Sequence, residues 1–256
     1  MKYIDCYKNI NLYKIRGFCQ RRKHKKNINK LIKQYESNVD FLRYWINDYE
    51  KQMKKWEDDN DESYSEVINT YPFIISAYKL TGRLSMINLD VLIAMKYLAY
   101  AKSDIECRFF ARRIFTLIYE TRKGYLRDMG MLIRNIENLH FIQNIQAYKD
   151  IHKRMSQFIS KHDNILKFTR NTNEAHKDKD FVKQVASIEN FNIEKAFEII
   201  MEYYNLLTQC SNLILLMIQE LGMYINQILN DMIMKRKSQF DKIKRNTQSH
   251  SVFLNV

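Results

Sequence analysis

The chain contains very little proline and glycine, with one proline and five glycines in 256 residues. These residues usually separate strands and form turns, so their scarcity favours a mainly helical fold. The sequence also lacks a Gly-rich phosphate loop, an H-E-x-x-H segment and a G-x-S-x-G segment. P-loop nucleotide hydrolysis and zinc proteolysis are therefore excluded as functions.

Cysteine is also sparse, and the cysteines are not arranged for metal binding. No C-x-x-C pair occurs, and no Cys/His cluster has zinc spacing. Long uninterrupted apolar runs are missing, and residues 1–5 lack the apolar core of a signal peptide. These absences predict a soluble cytoplasmic protein with reduced thiols, no membrane association, and no metal or cofactor. The four cysteines are Cys6, Cys19, Cys107 and Cys210.

Positive charge, by contrast, is abundant and lies at the two ends of the chain. The net charge is +13, yet residues 36–231 carry a net charge of only −2. Such ends suit RNA or another polyanion, because each Lys or Arg placed on a phosphate releases counterions. The alternative is that they only confer solubility. The candidate nucleic-acid contacts near the N-terminus are Arg21, Arg22, Lys23, Lys25 and Lys26.

Apolar spacing of three or four residues predicts a series of helices. The first spans residues 27–56 and ends in an acidic segment, residues 57–62. Capping boxes at residues 63–66 and 103–106 predict two further helix starts. Pro72 is expected to break or kink the second helix, and Thr81 and Gly82 to end it. Further helices are predicted for residues 88–101, from residue 103 onward, 147–168 and 192–234.

These helices predict an all-α fold in which four long helices form an antiparallel bundle. The predicted units are a basic N-terminal segment with a long helix (residues 1–62), a connecting helical segment (63–87), the bundle (88–234) and a basic C-terminal tail (235–256). The N-terminal unit is thus a helical extension of the bundle.

The strongest candidate for chemistry is the segment that contains Arg170, Asn171 and His176. If the backbone there is helical, residues six apart lie on nearly neighbouring faces of the helix, less than two turns apart along its axis. Arg170 then suits a phosphate oxygen, and His176 suits proton transfer with a ribose 2′-hydroxyl. Asn171 is a hydrogen-bond partner for the imidazole or the substrate. Lys177 and Lys179 directly follow and are further candidates for phosphate contacts.

The same arrangement of arginine, asparagine and histidine occurs twice more. Arg134 is followed by His140, and Arg245 by His250. Arginine and histidine are common at helix C-termini because they bind the last carbonyls. A purely structural role at the end of a helix is therefore the alternative for Arg170 and His176 as well.

Residues 165–178 resemble the signature of the HEPN superfamily (higher eukaryote and prokaryote nucleotide-binding domains). In that signature an arginine is followed by a polar residue and, a few positions later, by a histidine preceded by a small residue. Asn171 and Ala175 both fit. The resemblance covers at most about residues 89–234. It implies an up-and-down four-helix bundle, a homodimer, and often metal-independent endoribonuclease activity with Arg170 and His176 at the dimer cleft.

Several alternatives stay open beside this hypothesis. The endoribonuclease hypothesis includes a toxin or phage-defence role with an antitoxin or regulatory protein as partner. One alternative is a non-catalytic helical module that binds nucleic acid or protein, and another is an antitoxin-like or regulatory protein in which the same fold serves only dimerisation. A metal patch formed by His176, Asp178 and Asp180 is less favoured than a solvated loop. The Met-rich run of residues 217–234 is core or dimer surface. A buried ion-pair network is expected among Glu106, Arg112, Arg113 and Glu120.

Overall fold

The computed structural model describes the backbone of residues 18–59, 64–174 and 190–252, and the side chains of residues 26–58, 64–172 and 190–242. Within these ranges the regular secondary structure is helical and no strand occurs, which confirms the all-α prediction. The five helices described are α1 (Phe18–Asp59), α2 (Ser65–Tyr100), α3 (Asp104–Ile136), α4 (Ile145–Glu174) and α5 (Ile193–Val252).

Helices α2 to α5 form a bundle around a shared apolar core. Helix α2 packs against α3 and α5, and α4 closes the bundle by packing against the same two helices. Neighbouring helices run antiparallel, as the contacts show: Tyr97 of α2 stacks on Phe110 near the start of α3, whereas Arg83, earlier in α2, pairs with Asp128 later in α3. Large side chains such as Tyr125 fill the interior and are fully buried.

Helix α1 packs along the outside of α2 through a row of aromatic rings. Trp56 stacks on Tyr64 and meets Tyr71 edge to face, and Tyr49 contacts both Tyr71 and Tyr78, with ring centroids 4.7–5.7 Å apart. Such aromatic pairs add to the free energy gained from apolar burial. The long helix predicted for residues 27–56 is thus confirmed, and it lies on the bundle.

Helix α2 is longer than the sequence suggested. It continues through Pro72, Thr81 and Gly82, so the predicted break and the predicted end are wrong, and the boundary between residues 87 and 88 lies inside one helix. Pro72 is exposed near the start of α2, where its missing N–H removes a single helical hydrogen bond. The burial of twelve apolar side chains along α2 outweighs that loss, because burial of an apolar face dominates local propensity.

The two predicted capping boxes have different outcomes. Ser103 precedes α3 and accepts a hydrogen bond from the backbone N–H of Glu106 at 3.2 Å, so the predicted N-cap and helix start are confirmed. The Glu106 carboxylate accepts from the N–H of Lys102 rather than from that of Ser103, so the reciprocal bond of the box is not the one formed. At the start of α2 the N-cap residue is Tyr64, which makes no side-chain capping bond, and Ser63 lies outside the described residues. Glu66 instead accepts a hydrogen bond from Tyr224 of α5. Because the box depends on Ser63, it stays a prediction.

The last helix extends far beyond its predicted end. Residues 235–252 continue α5 as helix, where the sequence suggested a tail. The stretch Ile193–Lys242 of α5 is also the one described segment that is long and apolar enough to cross a membrane, with half of its most apolar window buried in the bundle. A core helix of a bundle has the same composition, so this segment is weak evidence for a membrane span.

Candidate nucleic-acid interface at the end of α4

The structure places Arg170 and Asn171 in the last turns of α4. Arg170 is half-buried and Asn171 is exposed. His176, Lys177 and Lys179 lie outside the described residues, as does the segment that leads from α4 to residue 190. The predicted convergence of Arg170 and His176 on one spot therefore stays a prediction.

A buried arginine lies beside this end of α4. Arg112 of α3 is 5% exposed, and its Nη2 donates a hydrogen bond to Oγ1 of Thr172 at 3.2 Å. Thr172 follows Arg170 by two residues, so the bond ties the start of α3 to the turn that carries the motif. Burial lowers the pKa of Arg112, because desolvation disfavours its charged form.

The ion-pair network predicted around Arg112 is not what the described residues show. Arg113, Glu106 and Glu120 are exposed. The Glu106 carboxylate accepts a hydrogen bond from the backbone N–H of Lys102, just before α3. The three exposed residues, spaced by seven, share the solvent-exposed face of α3, and of the four predicted members of the network only Arg112 lies toward the bundle. The sequence signal for Arg112 was therefore its place among apolar residues rather than its distance from the acids.

A third arginine lies at the same end of the bundle. Nη1 of Arg108 donates to the backbone oxygen of Phe191 at 2.9 Å, and Nε lies 2.8 Å from the Asp104 carboxylate. Phe191 comes directly before α5 and packs edge to face on Phe115 of α3. Arg108 therefore holds the segment around Phe191, which is the first described segment after α4.

The basic residues near the N-terminus belong to the first turns of α1. The backbone of Arg21, Arg22, Lys23 and Lys25 is helical, their side chains lie outside the described ones, and Lys26 is exposed. The ion pair between Glu50 and Lys79 fixes the antiparallel register of α1 on α2. Continued at about 1.5 Å per residue, this register brings Lys26 alongside the last turn of α2, at the same end of the bundle as Arg112 and Arg170.

A groove of about 500 Å³ runs between α4 and α5. Phe158 and Leu206 form its apolar base. At its rim Nη1 of Arg154 donates to Oε1 of Gln209 at 2.9 Å, and Nζ of Lys161 lies 3.4 Å from Oε2 of Glu202. The remaining lining residues are Gln157 and Asn205. The groove therefore offers an apolar base with cations on the α4 side.

His162 lies beneath this rim and is buried. Its Nε2 is 3.5 Å from the Glu202 carboxylate, a distance too long for a strong hydrogen bond. Burial lowers the pKa of His162 and Lys161 lowers it further, whereas Glu202 raises it. The neutral ring is therefore favoured near pH 7.

A buried carboxylate lies at the opposite end of the bundle. Glu220 of α5 is 5% exposed, and it accepts hydrogen bonds from Asn144 Nδ2 at 2.5 Å and from the Tyr148 hydroxyl at 2.8 Å. Burial and the bond to Glu220 raise the pKa of Tyr148. In the sequence, the signal for this buried carboxylate was an acid inside the Met-rich run of residues 217–234. Part of that run lies in the core.

No group of three or more metal-binding side chains occurs among the residues whose side chains the structure describes. The weakly favoured patch of His176, Asp178 and Asp180 lies outside them. Comparisons of the chain with protein-family models, with curated proteins and with solved structures found no match. The resemblance to the HEPN signature therefore depends on the residues of the motif.

Proposed function

We propose that the chain is an HEPN-like, metal-independent endoribonuclease whose site includes Arg170, Asn171 and His176. The observation that carries the proposal is the position of Arg170 and Asn171 at one end of the bundle, in the last turns of α4, beside the buried Arg112. A guanidinium that is held next to low-dielectric surroundings binds a phosphate more strongly than one in open water.

The proposed chemistry is transfer of the phosphodiester to the ribose 2′-oxygen. His176 takes the proton of the 2′-hydroxyl, the 2′-oxygen forms a bond to phosphorus, and the bond to the 5′-oxygen of the next nucleotide breaks. Arg170 stabilises the negative charge that develops on the phosphorane oxygens. Asn171 orients the imidazole or the substrate through its exposed amide.

The assembly we propose is a homodimer of up-and-down four-helix bundles formed by α2 to α5. The antiparallel contacts of neighbouring helices support the bundle. One chain has one His176, whereas cleavage uses both an acid and a base, so two copies at one cleft supply both roles. An antitoxin or regulatory protein is a further proposed partner.

The test is cleavage of mixed-sequence RNA in the presence of EDTA. The parent protein is compared with an Arg170→Ala/His176→Ala variant and with a matched Arg134→Ala/His140→Ala variant, in which the same spacing is removed from exposed positions at the end of α3. We expect the parent and the matched variant to cleave and the Arg170/His176 variant to lose at least about 100-fold in rate. Cleavage that both double variants retain would rule out the proposed site.

A non-catalytic helical module is the second candidate, and one observation favours it. The bond from Arg112 to Thr172 joins two helices, which is a structural task at the very turn that carries the motif. In that case the parent protein is as inactive as the Arg170/His176 variant, yet it still forms a dimer or binds RNA.

A further inference from the structure

The outer face of α4 is unusual in its charge. Between residues 153 and 171 the sequence contains one acid, Asp163, and that carboxylate pairs with Arg122 of α3 at 3.2 Å. The exposed side chains of this stretch include four cations, four uncharged polar groups and one phenylalanine. They are Lys153, Arg154, Gln157, Ser160, Lys161, Asn164, Lys167, Phe168 and Asn171.

This face leads from the groove between α4 and α5 to the proposed site. Arg154 lines one end of the groove and Asn171 lies in the last turns of α4. Seventeen residues of helix span about 25 Å. That length fits a short single strand, since nonspecific binding sites take up about 4–16 nucleotides.

An exposed aromatic side chain lies in the same row. Phe168 is 60% exposed, two residues before Arg170. A large apolar ring in water is unfavourable unless something covers it, and a nucleobase stacks on such a ring in a sequence-tolerant way. Cations that alternate with an aromatic ring are typical of surfaces that bind single-stranded nucleic acids.

The neighbouring face of α5 has the opposite character. Glu194, Glu198 and Glu202 recur every four residues there and are exposed. Glu202 pairs with Lys161 across the groove, and Asn205 and Gln209 continue the same wall with amides. Acids on that side repel phosphates, which favours the α4 side for a polyanion.

We propose that the outer face of α4 binds single-stranded RNA and guides it to the end of the helix. Lys153, Lys161 and Lys167 contact phosphates, and Phe168 stacks on an unpaired base. The inference deepens the proposed function, on which it rests, by naming the form of RNA that reaches the site. A duplex is disfavoured because its bases are already stacked and paired.

The first experiment measures the electrostatic contribution. A Lys153→Gln/Lys161→Gln/Lys167→Gln variant is compared with a Lys51→Gln/Lys54→Gln/Lys55→Gln variant, which removes the same charge from exposed positions near the end of α1. The probe is a fluorescent 20-nucleotide single strand of 2′-O-methyl RNA, which lacks the attacking hydroxyl and is not cleaved. Fluorescence anisotropy gives the Kd over a range of salt concentrations.

We expect the α4 triple variant to bind at least tenfold more weakly, with its salt slope reduced by about 2, since each phosphate contact on a single strand contributes about 0.7 to the slope. The α1 variant should change the Kd less than twofold. Equal losses in the two variants, or no binding by the parent protein, would overturn the inference.

The second experiment measures the stacking contribution with Phe168→Ala and a matched Phe41→Ala variant, in which an exposed phenylalanine of α1 is removed. Phe168→Ala should weaken single-strand binding about fivefold or more and leave duplex binding unchanged. Phe41→Ala should change neither. Unchanged single-strand binding in Phe168→Ala would overturn the stacking role.

These results separate the inference from the proposed nuclease activity. A parent that binds the 2′-O-methyl strand through α4, yet leaves ordinary RNA intact, retains the inference and loses the proposed activity. A parent that cleaves RNA at a rate unaffected by the α4 substitutions, and whose Kd they leave unchanged, retains the activity and loses the inference.

Discussion

At the end of the bundle where α4 begins, the buried Glu220 carboxylate accepts hydrogen bonds from Asn144 and Tyr148. At the end where α4 stops, the buried Arg112 guanidinium donates to Thr172, next to Arg170 and a basic exposed face. The Glu220 carboxylate accepts from one donor in the loop before α4 and from one in α4 itself, as is typical of a structural group. The Arg112 guanidinium donates to Thr172, two residues after Arg170, at the end of the bundle where we propose that an anion binds.

The largest effect is expected from Glu220→Ala. Removal of the carboxylate leaves the buried Tyr148 hydroxyl and the Asn144 amide without their acceptor, and it opens a cavity. We expect the free energy of unfolding to fall by about 3 kcal/mol, measured by urea denaturation. Glu120→Ala, at an exposed position of α3, should change it by less than about 0.5 kcal/mol. Equal effects of the two substitutions would show that Glu220 is not a structural group.

A smaller effect is expected at the other end from Ser103→Ala. The substitution removes the hydrogen bond to the Glu106 N–H that begins α3, close to Arg108 and Arg112. Loss of an N-cap costs about 1 kcal/mol, so the urea midpoint should fall by the corresponding amount. Ser103→Asp keeps a cap acceptor and should restore most of the loss. A Ser103→Asp variant as unstable as Ser103→Ala would contradict a capping role.

The sequence predicted the helices well wherever apolar spacing decided them, because burial of one face of a helix is a pattern that residues show locally. It failed at Pro72 and Gly82, where local propensity suggested a break that the long apolar contact of α2 with α3 and α5 overrides. The contact of Glu66 with Tyr224, 158 residues away, likewise could not be read from the local sequence.

The candidate site was predicted only as a local motif. Arg170 and Asn171 were found from their spacing, and the structure adds Arg112, whose contact with Thr172 joins residues 60 positions apart. A contact of that range leaves no periodic signal in the chain. The basic face of α4 was visible in the sequence as a stretch with one acid, yet its exposure depends on which side of α4 the bundle buries.

The third prediction concerns Arg112→Met, which should affect RNA binding more than it affects the free energy of unfolding. Burial lowers the pKa of Arg112 because desolvation disfavours its charged form, and a methionine keeps most of the buried apolar length of the side chain. We expect the free energy of unfolding to change by less than about 1.5 kcal/mol, while the Kd for single-stranded RNA rises at least fivefold.

The stability loss and the change in Kd can then be compared directly with the effect of Glu220→Ala. A large loss of stability in Arg112→Met together with an unchanged Kd would place Arg112 in the same structural class as Glu220. The variant Thr172→Val serves as a control, because it removes the hydrogen-bond acceptor and keeps the guanidinium charge.

The smallest effect concerns His162, which lies between the two ends. Its pKa is lowered chiefly by burial, so the unfolded chain binds a proton near pH 6.5 more readily than the folded chain does. The stability contributed by the neutral ring is therefore fully present above pH 6.5 and is lost as the pH falls below 6.5 toward the lowered pKa of the folded state. Urea denaturation between pH 7.5 and about 5 should show this slope, and His162→Gln should reduce it. Glu202→Gln removes the one group that raises the pKa and should steepen the slope, whereas a slope that neither substitution alters would show that the acid sensitivity arises elsewhere in the chain.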